Sequence, residues 1–179
     1  MTDKIEISVY HPQYQAQVIE LILKIQRDEF GLPITLDDQP DLLIIPAFYQ
    51  QRNGNFWLAL DGNTVVGTIA AIDIGNSYLT LRKMFVDVKY RGTSLGVAKN
   101  LLFNLINWSK IKNVHTVYLG TVDKFKAAHR FYEKNGFIRI GKSNLPTNFP
   151  RMEGDNIFYR LSLHEQEKIS TRSRGFFAQ

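Results

Sequence analysis

The sequence lacks cysteine, since none of its 179 residues is of that type. Disulfides, thiolate metal sites and a cysteine nucleophile are therefore excluded. No apolar run approaches the ~18 residues that a membrane-spanning helix needs, and the opening Met-Thr-Asp-Lys-Ile-Glu lacks the layout of a signal peptide. The 4 histidines are scattered without an i, i+4 pair, so no metal site is predicted. We therefore expect a cytoplasmic protein that does not contact a membrane.

The composition is that of an ordinary globular protein, with 44% hydrophobic and 22% charged residues. A chain of this length can bury a substantial core. We predict one domain over residues 1–163 and a polar tail over residues 164–179. The net charge of +5 suits an anionic ligand. Nucleic-acid binding ranks last among the functions considered, because no stripe of basic and aromatic residues accompanies the charge.

The spacing of apolar residues predicts an α+β fold with one mixed sheet. Alternating patterns predict strands at residues 5–9, 56–60, 64–72, 78–88, 114–119, 137–140 and 157–163. Helical spacing predicts helices over residues 14–30, 41–49, 95–108 and 127–134. Asp61-Gly62-Asn63 is a strong hairpin turn. This order of elements implies an antiparallel meander joined to a β-α-β crossover.

The segment "MFVDVKYRGTSLG", residues 84–96, runs from a strand through a glycine-bearing turn into the long helix. Glycines let backbone N–H groups approach a ligand, and the start of a helix favours negative charge. Arg91 adds a forked cation that suits phosphate oxygens. The segment therefore predicts a phosphate or pyrophosphate site. The G-x-G-x-x-G pattern of dinucleotide folds is absent, and an ordinary strand-to-helix turn with a serine cap remains the alternative.

The segment "FYEKNGF", residues 131–137, ends a helix and opens a strand. Asn135-Gly136 predicts the end of the helix, because glycine takes the left-handed backbone of a C-terminal cap at no steric cost. Tyr132 then lies in the last turn. Its ring either fills the core or holds its hydroxyl toward a ligand.

Together the two segments resemble the motifs of the GNAT superfamily, the acyl-CoA-dependent N-acyltransferases. The first is similar to the family's Arg/Gln-x-x-Gly-x-Gly/Ala motif between a strand and a helix. The second matches another family motif almost letter for letter, and the order of elements agrees over residues 5–163. The resemblance implies a central, mostly antiparallel sheet in which strands 4 and 5 splay apart, with helices beside it.

The resemblance also implies where acetyl-CoA binds and how it reacts. Backbone groups at the end of the fourth strand would bond the pantetheine arm and polarise the thioester: Met84, Phe85 and Val86. The turn and the helix start would hold the pyrophosphate: Arg91, Gly92, Thr93, Ser94, Leu95, Gly96 and Val97. The Tyr132 hydroxyl would protonate the departing CoA thiolate, because a phenol of pKa ~10 stays protonated at neutral pH.

Two positions of the coenzyme motifs depart from the family pattern. Ser94 stands where glycine is usual, and its backbone N–H can still donate although there is less room. Phe125 stands where many members carry an asparagine that touches the pantetheine. That contact is therefore missing or replaced by apolar packing.

The general base is left open by the sequence. Members that use a glutamate on the fifth strand have it where this chain has Gly120. An attacking amine must still lose a proton, because an ammonium ion has no lone pair. Proton removal then runs through water to Glu29, Asp73 or another group. We expect Glu133 to be solvated.

The acceptor site is predicted in residues 27–50 and 142–156. Glu29, Phe30 and Asp73 are the candidate acceptor-binding residues. Other aromatic residues form the pocket wall or merely seal the core: Phe48, Tyr49 and Phe149. The leading hypothesis is transfer of an acetyl group from acetyl-CoA to the primary amine of a small molecule or peptide. The alternative is a non-catalytic CoA-binding module, and a homodimer is an option by analogy with related folds.

Overall fold

The computed structural model describes residues 4–92 and 94–163, so Thr93 and the predicted tail lie outside the described residues. The described residues form two compact units. The first contains residues 4–73, 81–92 and 94–108, and the second contains residues 74–80 and 109–163. The predicted single domain over residues 1–163 stays a prediction.

The elements follow the predicted order. The strands are β1 Glu6–Val9, β2 Asn55–Asp61, β3 Thr64–Gly75, β4 Tyr78–Val86, β5 Thr116–Thr121, β6 Ile138–Ile140 and β7 Ile157–Ser162. The helices are α1 Gln15–Lys24, α2 Ile45–Phe48, α3 Val97–Ile111 and α4 Lys126–Lys134. A π-helical turn, Ile25–Glu29, extends α1. Short 3-10 turns occur at Pro12–Tyr14, Pro40–Leu43, Val88–Tyr90 and Lys142–Asn144.

The strands hydrogen-bond in the order β1-β2-β3-β4-β5-β7-β6. The β4–β5 pair is parallel, whereas the β1–β2, β2–β3, β5–β7 and β6–β7 pairs are antiparallel. The described β4–β5 ladder pairs residues 78–80 with residues 116–118. The α+β prediction, with a mixed and mostly antiparallel sheet, is confirmed.

The core of the first unit lies between α1 and the strands β2 and β3. Val18 and Ile22 of α1 are fully buried there with Phe56 and Leu58 of β2. This arrangement follows from the sequence, because α1 presents apolar residues at helical spacing to apolar strand residues. Tyr49 also lies in this core and is fully buried.

The second unit has a smaller aromatic cluster on one face of β5 and β7. Tyr118, Phe149 and Phe158 form it, and Tyr78 packs against it. On the other face, Tyr159 of β7 contacts Tyr132 of α4, with ring centroids 6.1 Å apart. Side chains of adjacent strand residues point to opposite faces of a sheet. Phe158 therefore faces the aromatic cluster, and Tyr159 faces α4.

Two predicted boundaries near the coenzyme motif are wrong. The strand predicted to reach residue 88 ends at Val86, because Asp87 accepts a hydrogen bond from the Lys89 N–H and caps a 3-10 turn. The helix predicted to begin at Leu95 begins at Val97. Gly96 has a φ of +62°, a conformation that cannot continue a helix. Leu95 is 39% exposed and therefore lies outside the core.

Within the described ranges, no helix has the length and apolar character that crossing a bilayer requires. Cytoplasmic location stays a prediction.

Candidate active site

The predicted phosphate-binding turn is an exposed loop of the first unit that leads into α3. Gly92 and Gly96 have φ values of +109° and +62°, so both occupy backbone conformations that favour glycine. Apart from the chain neighbours of Gly92, no atom of the described residues lies within 4 Å of where a Cβ at this position would be. The Asn100 N–H donates to the Gly96 carbonyl over 2.8 Å, which makes Gly96 the residue before the first helical turn. The backbone N–H groups at the helix start are thus positioned as an anion site requires.

The Arg91 side chain is held by two partners in the first unit. Its Nη1 and Nη2 atoms lie 2.7 and 2.9 Å from the two carboxylate oxygens of Glu29, a bidentate ion pair. Its Nε donates to the Val86 carbonyl over 2.7 Å. The two predicted roles, pyrophosphate ligand and acceptor ligand, therefore fall on residues that bind each other.

The predicted pantetheine-binding stretch follows a residue of β4 with a left-handed backbone. Lys83 has a φ of +51°, unusual for a residue with a Cβ. Its carbonyl accepts a hydrogen bond from the Thr68 hydroxyl over 2.7 Å. Val86 is buried, whereas Met84 and Phe85 are half-buried. Residues other than glycine in this strained conformation are frequent at active sites.

The Lys83 side chain enters a buried polar network that sequence reasoning missed. Its Nζ lies 3.2 Å from a carboxylate oxygen of Asp41 and 2.7 Å from Gln39 Oε1. The same Asp41 oxygen accepts a hydrogen bond from the Tyr49 hydroxyl over 2.5 Å. Burial lowers the pKa of Lys83, and the Asp41 carboxylate opposes that shift. The signal in the sequence was the pair of charged residues, Arg82 and Lys83, within the strand β4.

Tyr132 in the second unit has an enclosed ring and an unpartnered hydroxyl. The ring is 6% exposed, and its centroid lies 5.7 Å from that of Phe131 and 5.4 Å from that of Phe137. Within residues 4–92 and 94–163, its hydroxyl makes no hydrogen bond. Burial raises the pKa of Tyr132 well above its usual value, so the hydroxyl stays protonated at neutral pH. The ring packs in the core and the hydroxyl keeps its hydrogen-bonding capacity.

Glu133 is exposed, as predicted. Its carboxylate also accepts a hydrogen bond from the Tyr159 hydroxyl over 2.8 Å, which the sequence did not indicate. Nearby, the His129 ring lies 3.0 Å from the Val122 carbonyl through Nε2. These contacts fix α4 against β7 and the loop after β5.

The remaining predicted residues fall in different places. Phe30 packs against the core of the first unit, and Asp73 accepts a hydrogen bond from the Asn53 N–H over 3.1 Å. Phe125 is the half-buried residue before α4. Tyr49 and Phe149 are buried in separate cores, which supports the alternative that they seal the core. Phe48 is 40% exposed.

The carboxylate of Asp155 packs directly against the backbone of Gly120 in β5. A Cβ at this position would overlap Oδ2 of Asp155 and would lie 3.0 Å from its Cγ. Only glycine leaves that space to Asp155. Sequence reasoning missed this contact, because 35 positions along the chain separate the two residues and only the pairing of β5 with β7 brings them together.

The fold and the two motif segments define an acyltransferase-type α+β protein. The chain belongs to the Acetyltransferase (GNAT) family, whose model matches residues 19–137. That span includes both motif segments. Acetyl-CoA is the cosubstrate of this family, and its acceptors are small molecules or peptides.

Known proteins with similar sequences or folds agree with this assignment. An N-acetylaspartate synthetase of Danio rerio is 36% identical over 138 residues, which cover 70% of this chain and 48% of that protein. A GNAT-family acetyltransferase of Staphylococcus aureus Mu50 has a TM-score of 0.85 and 44% identity, and the match covers 89% of this chain and 99% of that one. The PaiA N-acetyltransferase of Thermoplasma acidophilum, solved with coenzyme A, has a TM-score of 0.67 at 16% identity, covering 88% of this chain and 98% of that one.

The chain spans about half or less of the length of the curated relatives first matched, from 48% down to 34%. The match to the Staphylococcus aureus structure, by contrast, spans nearly all of that chain.

Proposed function

We propose that this chain is an acetyl-CoA-dependent N-acetyltransferase that moves an acetyl group to a primary amine. One observation carries the catalytic part of the proposal. Tyr132 combines an enclosed ring with a hydroxyl that has no hydrogen-bond partner among the described residues. Among the described residues, the fully buried side-chain group without a partner is the Tyr10 hydroxyl, so the Tyr132 hydroxyl retains access to solvent-sized space, where a protonated phenol can donate to a ligand.

The residues of the first unit suit the phosphate-bearing part of acetyl-CoA. The glycines of the loop leave its backbone exposed, and the start of α3 adds partial positive charge. We propose that the backbone N–H groups of residues 92–97 bind the pyrophosphate. Arg91 then acts mainly by fixing the loop, because its guanidinium is already bonded to Glu29 and to the Val86 carbonyl.

Bound acetyl-CoA supplies an acetyl group already activated as a thioester. Backbone groups of Met84, Phe85 and Val86 are proposed to bond the pantetheine arm, and a fixed N–H there would stabilise charge that develops on the carbonyl oxygen. Tyr132 is proposed to give its proton to the sulfur as the carbon–sulfur bond breaks. An acid placed in this way contributes roughly 10²-fold in rate.

The acetyl group is proposed to pass directly to the acceptor, and the absence of cysteine is compatible with a reaction that has no acyl-enzyme intermediate. The acceptor is proposed to be a small molecule or peptide with a primary amine. Aspartate is the first acceptor to test, because the Danio rerio relative is named an N-acetylaspartate synthetase.

The test measures free CoA release from acetyl-CoA with a panel of amines that begins with aspartate. We expect Tyr132→Phe to slow release by about 10²-fold. Tyr159→Phe is the matched control, because it also removes a buried hydroxyl beside α4 but one that is bonded to Glu133. An unchanged rate in Tyr132→Phe would reject the acid. Coenzyme binding without turnover of any amine would identify a non-catalytic CoA-binding module.

A further inference from the structure

We infer that Asp155 is the general base that removes the proton of the acceptor amine. This inference rests on the proposed function, and it assigns the group that the sequence left open. Three observations support it. Asp155 contacts Gly120, and this contact lies on the face of the sheet that carries Tyr118, Phe149 and Phe158, called the aromatic face below. The other carboxylates of the second unit are placed differently.

The Asp155 carboxylate occupies the space that a side chain at position 120 would fill. Its Oδ2 would overlap a Cβ there, and its Cγ and Cβ would lie only 3.0 and 3.3 Å away. Asp155 is half-buried. Its backbone N–H donates to the Met152 carbonyl over 3.2 Å, and the next residue, Asn156, donates its N–H to the Thr121 carbonyl over 3.0 Å. The carboxylate is thus fixed above the end of β5.

The contact lies on the face of the sheet opposite α4. Gly120 pairs with Phe158, so their side-chain directions share one face. Phe158 belongs to the aromatic cluster, whereas Tyr159 faces α4 and Tyr132. Base and acid therefore lie on opposite faces of the β5–β7 pair, as suits a reaction in which the amine enters on one side and the thiolate leaves on the other.

Asp155 also lines a cavity that has room for an acceptor. The cavity has a volume of about 570 Å³ and is bounded by residues 139–142 and 155–158. Ligand sites commonly have volumes of roughly 300 to 1,000 Å³. The wall also carries Arg139, Lys142 and Phe158, and the Asp155 carboxylate is the group in this lining that can attract a cationic amine and accept its proton.

The other described carboxylates of the second unit are placed differently. Asp123 forms an exposed ion pair with Lys126, with the atoms 2.6 Å apart. Glu133 accepts the Tyr159 hydrogen bond on the α4 side. Glu153 is exposed. Among these four residues, Asp155 is the one that is half-buried on the aromatic face.

The acceptor ammonium gives one proton to Asp155, which passes it to solvent. The freed lone pair forms the nitrogen–carbon bond, and the carbon–sulfur electrons go to sulfur. Sulfur takes the Tyr132 proton, and the nitrogen loses its second proton through Asp155. Solvent reprotonates Tyr132, so the products are the amide, CoA thiol and one released proton.

The charged and titratable groups around Asp155 come from several elements. Arg139 of β6 and Lys142 of the following turn line the same cavity. Arg160 of β7 interacts electrostatically with Tyr118 of the aromatic cluster, as does Tyr78. Arg151 and Glu153 lie in the same loop as Asp155.

The first test compares the pH dependence of kcat/KM in wild type and Asp155→Asn, which keeps the shape of the side chain. We expect a loss of about 10²-fold near neutral pH. The loss should shrink as pH rises, because a greater fraction of the acceptor is then neutral without a base. A loss that stays constant with pH would show a merely structural role and overturn the inference. Glu153→Gln is the matched control and should leave the profile unchanged.

The second test moves the carboxylate. Asp155→Ala vacates the space beside Gly120, and Gly120→Glu in that background supplies a new carboxylate from β5. We expect Asp155→Ala to lose activity and the double variant to regain at least tenfold of it. An inactive double variant that binds CoA normally would count against the inference. No turnover by wild type with any amine would instead reject the proposed function, so the two failures are distinguishable.

Discussion

Glu29 and Arg91 bind each other through two parallel hydrogen bonds, 2.7 and 2.9 Å long. The pair connects the π-helical turn after α1 to the loop before α3, both in the first unit. Because Arg91 also donates to the Val86 carbonyl, its guanidinium connects three segments of backbone. A residue chosen from the sequence as a phosphate ligand is therefore also a structural anchor.

We expect Arg91→Lys and Glu29→Gln to weaken CoA binding by similar factors of a few-fold. Lysine cannot reproduce the forked geometry, and glutamine cannot accept both bonds. Isothermal titration with CoA measures the dissociation constants. If Arg91 contacts the pyrophosphate directly, only Arg91→Lys will weaken binding, and Glu29→Gln will leave it unchanged or strengthen it.

Replacement of Lys83 by methionine should destabilise the protein by about 3–5 kcal/mol, because Asp41 would be left buried without its cation. The double variant Lys83→Met with Asp41→Leu should recover part of that loss, since it removes the uncompensated charge. Urea unfolding measures both values. A double variant less stable than the single one would show that Asp41 stabilises the fold mainly through Tyr49.

Replacement of Gly120 by alanine should destabilise the protein by about 1–3 kcal/mol, since the new methyl group overlaps Asp155. In an Asp155→Ala background the same change should cost much less. Thermal unfolding of the four proteins forms a double-mutant cycle. Equal costs in both backgrounds would mean that the two residues do not meet in solution.

The stability of the protein should fall between about pH 10 and pH 12. Burial, followed by the hydrogen bond to Glu133, raises the pKa of Tyr159 to about 12 from an ordinary 10.0. Above pH 10 the unfolded chain loses this proton while the folded protein keeps it, so the unfolded state gains roughly 2 kcal/mol by pH 12. Tyr159→Phe should show a shallower decline in the free energy of unfolding, measured with urea at pH 9, 10 and 11. A decline as steep as that of wild type would contradict the assignment to Tyr159.

Residues close together in the chain were predicted well from the sequence. Alternation located the strands, and Asn135-Gly136 correctly ended α4 before β6. Turn chemistry and periodicity are local, so they survive folding with little change. The end of β4 and the start of α3 were missed because a capping aspartate and a left-handed glycine decide them.

The candidate site was harder to predict wherever it depends on residues far apart in the chain. Glu29 and Arg91 meet across 62 positions, and Lys83 meets Gln39 across 44. Neither contact has a signature in local sequence. Gly120 indicated only that a carboxylate side chain is missing from that position of β5. The residue that lies there, Asp155, is brought to it by the pairing of β5 with β7.

The rings of Phe131, Phe137 and Tyr159 enclose the ring of Tyr132. Because these rings already fix the orientation of the Tyr132 phenol, it loses little conformational entropy when a ligand binds. The cost of orienting the proton donor is met when the protein folds and does not recur in each turnover. Replacement of Phe137 by a smaller residue would therefore make Tyr132 a less efficient proton donor, although Tyr132 itself would be unchanged.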